Sequence, residues 1–221
     1  MPAKSTHHRQ LCLFAPDAEI GLATLEALDA RDDAPTVASL RIGSISESGS
    51  ARAREIISQI QRSETAVLIN DDWQTAQAVH ADGIHLSRAD DVVARLTRAQ
   101  QHLGKDMIIG VAGGMSRHEA MELGEAGASY LAWALTADSQ DANEETEAER
   151  GAEMIRWWSS VFEVPAVAMF GLETTADVDI GASEFVEFTC SGDGAADCRA
   201  KADAIAAAFA KVSETALEPA S

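Results

Sequence analysis

The run Thr65-Ala66-Val67-Leu68-Ile69-Asn70-Asp71-Asp72, followed by Trp73–His80 and by Gly83-Ile84-His85-Leu86, decides the fold. Thr65–Asn70 is short and apolar, and its side chains do not alternate with polar ones. A strand covered on both faces reads this way, which is the pattern of a parallel sheet layered with helices. Trp73–His80 predicts the crossover helix, and Gly83–Leu86 predicts the next strand.

The same alternation continues in both directions. Further strands are expected at Leu11–Ala15, Thr36–Arg41, Met107–Val111, Tyr130–Trp133, Ala166–Met169 and Phe185–Thr189. Helices are expected at Glu19–Ala30, Ser50–Arg62, Asp91–Gln101, Arg117–Ala126, Glu147–Val161, Thr174–Ile180 and Ala195–Val212. Ile56, Ile57 and Ile60 mark one helix face. Ser116 and Thr174 read as helix caps, and Gly104, Gly127 and Gly181 as left-handed helix ends. Eight such units in about 200 residues suit a closed (β/α)8 barrel, an α/β fold of the TIM type. An open doubly wound sheet that held a nucleotide would need a Gly-rich turn after strand one, and Ala15-Pro16-Asp17-Ala18 has none. One barrel domain over 1–213 is expected, with 214–221 a disordered tail.

Composition narrows the function. Hydrophobic residues make up 46% of the 221, enough for a core. No apolar run approaches the roughly 20 residues of a membrane span. The net charge of −19 repels nucleic acid and anionic lipid, so neither is an expected partner. A phosphorylated ligand must then be bound locally, through a metal, backbone amides or a few Arg. Cys12, Cys190 and Cys198 lack metal-ligand spacing and predict buried or free thiols in a reducing compartment. With a polar N-terminus, this predicts a cytoplasmic protein.

In this architecture, chemistry is expected just past the strand ends. Asp71 and Asp90 follow neighbouring strands and should share a rim; two carboxylates with waters suit Mg2+, although Asp is also a common helix cap. Arg41 ends strand two and is either a bidentate phosphate clamp or a surface arginine. Gly171, after strand seven, and Ser191-Gly192-Asp193-Gly194, after strand eight, are either anion-binding amide turns or simple turns. His85 reads as a barrel-interior histidine, and Trp157 and Trp158 as helix–barrel packing. The acidic stretch Ala137–Glu149 reads as a solvated loop or a lid over the rim.

Asn70-Asp71 through Ala81-Asp82-Gly83-Ile84-His85-Leu86-Ser87-Arg88-Ala89-Asp90 resembles the middle of the thiamine phosphate synthases, including the spacing between the two aspartates. The resemblance continues through Ile108-Ile109-Gly110-Val111 and Gly124-Glu125-Ala126-Gly127-Ala128-Ser129-Tyr130, and more weakly to Phe185-Val186. That family is a (β/α)8 barrel that joins hydroxymethylpyrimidine diphosphate to thiazole phosphate and releases pyrophosphate. The resemblance implies that Asp71 and Asp90 hold Mg2+ on the diphosphate. It implies catalytic and substrate-binding roles for Arg41 and Asn70, and a phosphate contact at Gly171. The family shares its fold with thiazole tautomerases, whose histidine after strand five is Gly114 here.

The departures are specific. Ile42 and Gly43 stand where the family has an acidic residue and a lysine, and Ala112 stands where it has a serine. The Leu135–Gln140 segment lacks the family's lysine, and Phe170 precedes Gly171 where the family has a second glycine, placing a ring where phosphate needs room. Arg88 is one replacement cation. Three readings follow: a thiamine phosphate synthase with impaired turnover, a catalytically degenerate barrel that binds a phosphorylated metabolite or a partner protein, or an enzyme of another type that uses the aspartate pair for a different metal-assisted reaction. All three are compatible with a homo-oligomer.

Overall fold

The computed structural model describes residues 9–46, 49–114, 116–135, 147–171, 179–190 and 195–215. Eight parallel strands close in sequence order into a barrel: β1 (Gln10–Ala15), β2 (Val37–Ile42), β3 (Ala66–Asn70), β4 (Gly83–Leu86), β5 (Ile108–Ala112), β6 (Tyr130–Ala134), β7 (Ala166–Phe170) and β8 (Phe185–Thr189). Closure comes from β1 against β8, where Leu11 lies opposite Val186 and Cys12 opposite Glu187. The strands expected from sequence all form, with ends moved by one residue at most.

Helices α1 (Ala18–Asp29), α2 (Ser50–Gln61), α3 (Trp73–Val79), α4 (Val92–His102), α5 (Arg117–Glu125), α6 (Glu147–Val161) and α7 (Ala195–Thr215) surround the sheet. Alternate strand residues such as Leu40, Ile69, Ile84, Val111, Leu131 and Phe188 are buried beneath them. Trp158 of α6 is fully buried and stacks on Phe162 at 4.0 Å between ring centroids, so it packs the helix onto the barrel. Ser116 caps α5 through a reciprocal box with Glu119. Gly127 (φ +89) and Gly181 (φ +54) adopt the left-handed conformation expected of them, whereas Gly104 does not: α4 ends on an extended Leu103.

The helix expected at Thr174–Ile180 falls largely outside the described residues, and Asp179–Ile180 is not helical. The 137–146 part of the acidic stretch, Ser191–Gly194 and the tail beyond 215 also lie outside them. Residues 147–149 open α6, and α7 carries Glu214 and Thr215, where a frayed tail was expected. All three cysteines are free and buried, and burial pushes the Cys12 and Cys190 thiols up to about 12.

Inside the barrel, side chains reach across rather than along the sheet. His85 of β4 pairs through Nδ1 with the Tyr130 hydroxyl of β6 at 3.0 Å, spanning β5. Gly110 of β5 makes this possible, since a Cβ there would come within 1.9 Å of the Tyr130 ring. His85 is 2% exposed, and burial first, then the Arg41 charge, pull its imidazole down to about 3. It is a neutral interior histidine, as the sequence suggested. At the opposite end from the rim, among the strand starts, lies a cavity of about 250 Å³ walled by Ala38, Ala66, Leu68, Val167 and Phe185.

Candidate active site at the C-terminal rim

Arg41 is the next-to-last residue of β2, and Asn70 is the last of β3. Strand parity turns both side chains into the barrel mouth, where they meet. Arg41 Nη1 donates to Asn70 Oδ1 at 2.8 Å. Asn70 Nδ2 in turn donates to Asp71 Oδ2 and to Ser87 Oγ, each at 3.1 Å.

Asp71 sits at φ 59, a conformation uncommon outside glycine, just where the chain leaves β3. Its backbone N–H prolongs the β3–β4 ladder by donating to His85 O at 2.8 Å. Its carboxylate Oδ1 accepts from Ser87 N at 2.8 Å and from Arg95 Nη2 of α4. Burial works to raise the Asp71 carboxyl, but the hydrogen bonds from Ser87 and Arg95 outweigh it and hold the group below its ordinary value. Asp71 is therefore no helix cap. Asp72 has that role, accepting from Thr75 N at 2.9 Å.

Arg41 is more enclosed still. Its Nε donates to Glu187 Oε2 at 3.0 Å and its Nη2 to Glu187 Oε1 at 2.5 Å. Nη2 also reaches Met169 Sδ at 3.6 Å, and the Phe14 ring lies beneath the guanidinium at 4.2 Å to the centroid. The two charged side chains are only 11% and 8% exposed. Burial disfavours the Arg41 charge, and the Glu187 carboxylate outweighs burial and holds the guanidinium above its ordinary value. A continuous chain of contacts thus runs Glu187–Arg41–Asn70–Asp71–Arg95, across β8, β2, β3 and α4.

The other candidates stand apart from this chain. Asp90 and Arg88 are exposed in the turn after β4 and make no hydrogen bond or ion pair among the described residues. Gly171 directly follows β7 at the same end of the barrel, half-buried. The Phe170 ring does not crowd the rim. Met169 and Glu187 point inward, so strand alternation turns Phe170 and Phe188 outward, where they stack at 5.5 Å in the helix-covered core.

Among the described residues, no three His, Cys, Asp or Glu side chains gather to hold a metal. Asp71 accepts three hydrogen bonds from Ser87, Arg95 and Asn70, which leaves about one carboxylate lone-pair position for a cation. That donor set suits a hard ion that keeps most of its waters, as Mg2+ does. Three participants escaped the sequence reading. Glu187 had a signal, a lone charge inside the apolar run Phe185-Val186-Glu187-Phe188, since a buried charge needs a partner. Arg95 and Ser87 had none, because periodicity does not say which helix side chain reaches back over a loop.

A closed parallel barrel whose charged groups converge at the strand C-terminal ends has the architecture of small-molecule barrels that bind there. The chain belongs to the thiamine monophosphate synthase family, whose pattern matches residues 13–183. It is 35% identical over 191 residues to a thiamine-phosphate synthase of Erythrobacter litoralis, covering 82% of this chain and 87% of that one. It is 30% identical over 189 residues to a thiamine-phosphate synthase of Rhodospirillum centenum, covering 80% and 89%. Its fold matches that of a thiamine phosphate pyrophosphorylase from Pyrococcus furiosus with a TM-score of 0.67 at 19% identity, covering 96% of this chain and 99% of that one.

Proposed function

We propose that the chain joins hydroxymethylpyrimidine diphosphate to thiazole phosphate, giving thiamine phosphate and pyrophosphate, and does so slowly. The observation that carries the reading is membership of this family together with the Arg41–Asn70–Asp71 contact chain at the rim where barrel ligands bind. The leaving diphosphate departs from a benzylic-type carbon, so the protein has mainly to hold the two heterocycles in line and stabilise the departing charge.

The remaining Arg41 Nη1 proton serves the diphosphate; Asn70, with both Nδ2 protons spent on Asp71 and Ser87, orients Arg41 and Asp71 beside it, and Gly171 offers its backbone to the thiazole phosphate. Asp71 and Asp90 would hold Mg2+, which when bound screens the diphosphate charge. Arg88, exposed near Asp90, is a further cation for the diphosphate. The work is that of a cytoplasmic enzyme taking phosphorylated small molecules. Among the described residues no helix is long and apolar enough to cross a membrane.

Turnover is slow because contacts that tighten on the leaving group are missing at Gly43 and Ala112. Each lost charge-assisted hydrogen bond is worth roughly 1.5–3 kcal/mol, and about 1.4 kcal/mol is tenfold in rate. The test incubates the protein with both heterocycle phosphates and Mg2+ and follows thiamine phosphate by fluorescence after oxidation. Product forming slowly is expected. Total absence of product moves the chain to the second reading, a barrel that binds a phosphorylated metabolite without turnover. The occupied Arg41 fork is the observation that favours it.

A further inference from the structure

We propose that Glu187 sets how strongly this site takes a diphosphate, by holding Arg41 as an internal counter-ion in competition with the ligand. The inference rests on the reading of Arg41 as an anion contact given above. A guanidinium has five N–H donors in a fixed fork. Nε and one Nη2 proton are spent on Glu187, the other Nη2 proton points to Met169 Sδ, and one Nη1 proton goes to Asn70. One Nη1 proton is left for a ligand. The bidentate edge formed by Nε and Nη2, one that would match a phosphate, is closed by a carboxylate.

The pair cannot loosen cheaply. Glu187 is 6% exposed, and separating the two charges would leave one of them unpaired in the barrel interior. A diphosphate arriving at the rim therefore meets Arg41 as a single donor belonging to a neutral pair, and not as a free cation. Glu187 touches no reacting atom in this arrangement. It is a positioning residue that acts through Arg41 and makes the site depend on cations the ligand brings with it.

The probe is inorganic pyrophosphate with Mg2+, titrated into the full chain by calorimetry, with KM and kcat for the diphosphate substrate measured alongside. Glu187→Gln keeps the side-chain shape but replaces one acceptor oxygen with an N–H donor that opposes the fork. The freed Arg41 N–H should lower the pyrophosphate Kd by about tenfold, the worth of one charge-assisted hydrogen bond regained. KM should fall by more than kcat changes. Glu187→Asp keeps the counter-charge and should stay nearer the parent than Glu187→Gln does, and the double variant Arg41→Gln with Glu187→Gln should lose the gain.

An unchanged or weaker affinity in Glu187→Gln overturns the proposal. So does a gain that survives in the double variant, because removal of negative charge from the barrel would then be the cause. Should Glu187→Gln not fold, Arg41→Lys in the parent decides the matter. With the fork already spent, its pyrophosphate affinity should fall by less than about fivefold, and a larger loss overturns the proposal. Absence of thiamine phosphate from every variant would sink the proposed reaction and leave the pyrophosphate comparison to decide the role of Glu187.

Discussion

Acid should weaken this barrel through His85, and the size of the effect can be worked out. The imidazole is held neutral in the folded protein, its pKa drawn from the ordinary 6.5 to about 3 by burial and by Arg41. Unfolding releases it to water, where it takes up a proton at any pH between those two values. The folded-state pKa is depressed, so the unfolded chain binds the extra proton and stability falls as pH drops through that window. The slope approaches 1.36 kcal/mol per pH unit, and the onset near 6.5 is gradual. From pH 6.5 to pH 5 the loss from this one group is therefore about 1.5–2 kcal/mol.

Urea unfolding followed by the fluorescence of the buried Trp133 and Trp158 measures it. The control is His85→Gln, which keeps a hydrogen-bonding partner for the Tyr130 hydroxyl but cannot be protonated. Every other titrating group is common to the two proteins, so their difference isolates His85. The parent should lose about 1.5–2 kcal/mol more than the variant over this interval. Parallel pH profiles would refute the reasoning and show that the folded barrel accommodates a charged imidazole.

The remaining expectations concern backbone, rim and rate. Gly83→Ala would place its Cβ 2.0 Å from the backbone oxygen of Ile108, which cannot rotate away as a side chain could, so a loss of about 3 kcal/mol or more is expected in thermal unfolding. Asp71→Ala removes the acceptor for Ser87 N, Arg95 and Asn70; it should cost about 1–2 kcal/mol of stability and abolish Mg2+-dependent pyrophosphate binding in calorimetry. Gly43→Lys combined with Ala112→Ser should raise kcat by more than it lowers KM, because both groups would act on charge gathered in the transition state. The Cβ at 43 would lie 3.1 Å from Pro16 O, a contact met by a small shift of the turn.

The barrel was legible because its strands are unbroken apolar runs and the helices between them show their faces, as at Ile56, Ile57 and Ile60. The rim was half legible. Asn70, Asp71, Arg41 and Gly171 end strands, and topology brings strand ends together whatever their partners are. Which partner each would choose depended on side-chain parity and reach. The same parity that sends Glu187 inward to Arg41 sends Phe170 outward, so the ring that threatened to crowd the phosphate belongs to the core. Asp71 lost the cap role to Asp72 by one residue of register, and gained Arg95 from a helix whose periodicity gave no hint of it.

Charge balance ties the rim to the whole chain. Along Glu187–Arg41–Asn70–Asp71–Arg95, two carboxylates offset two guanidinium groups, and each charge is spent on a neighbour. This contact chain therefore contributes little net attraction for an anion, while the −19 net charge of the protein repels it. Beyond what Arg88 offers, a diphosphate is helped at such a mouth by arriving with part of its charge already screened, or by prising Arg41 from Glu187. The first route makes binding depend on the divalent cation at any salt concentration. The second makes it depend on the residue at 187, and pyrophosphate titrations of Glu187→Gln with and without Mg2+ tell the two routes apart.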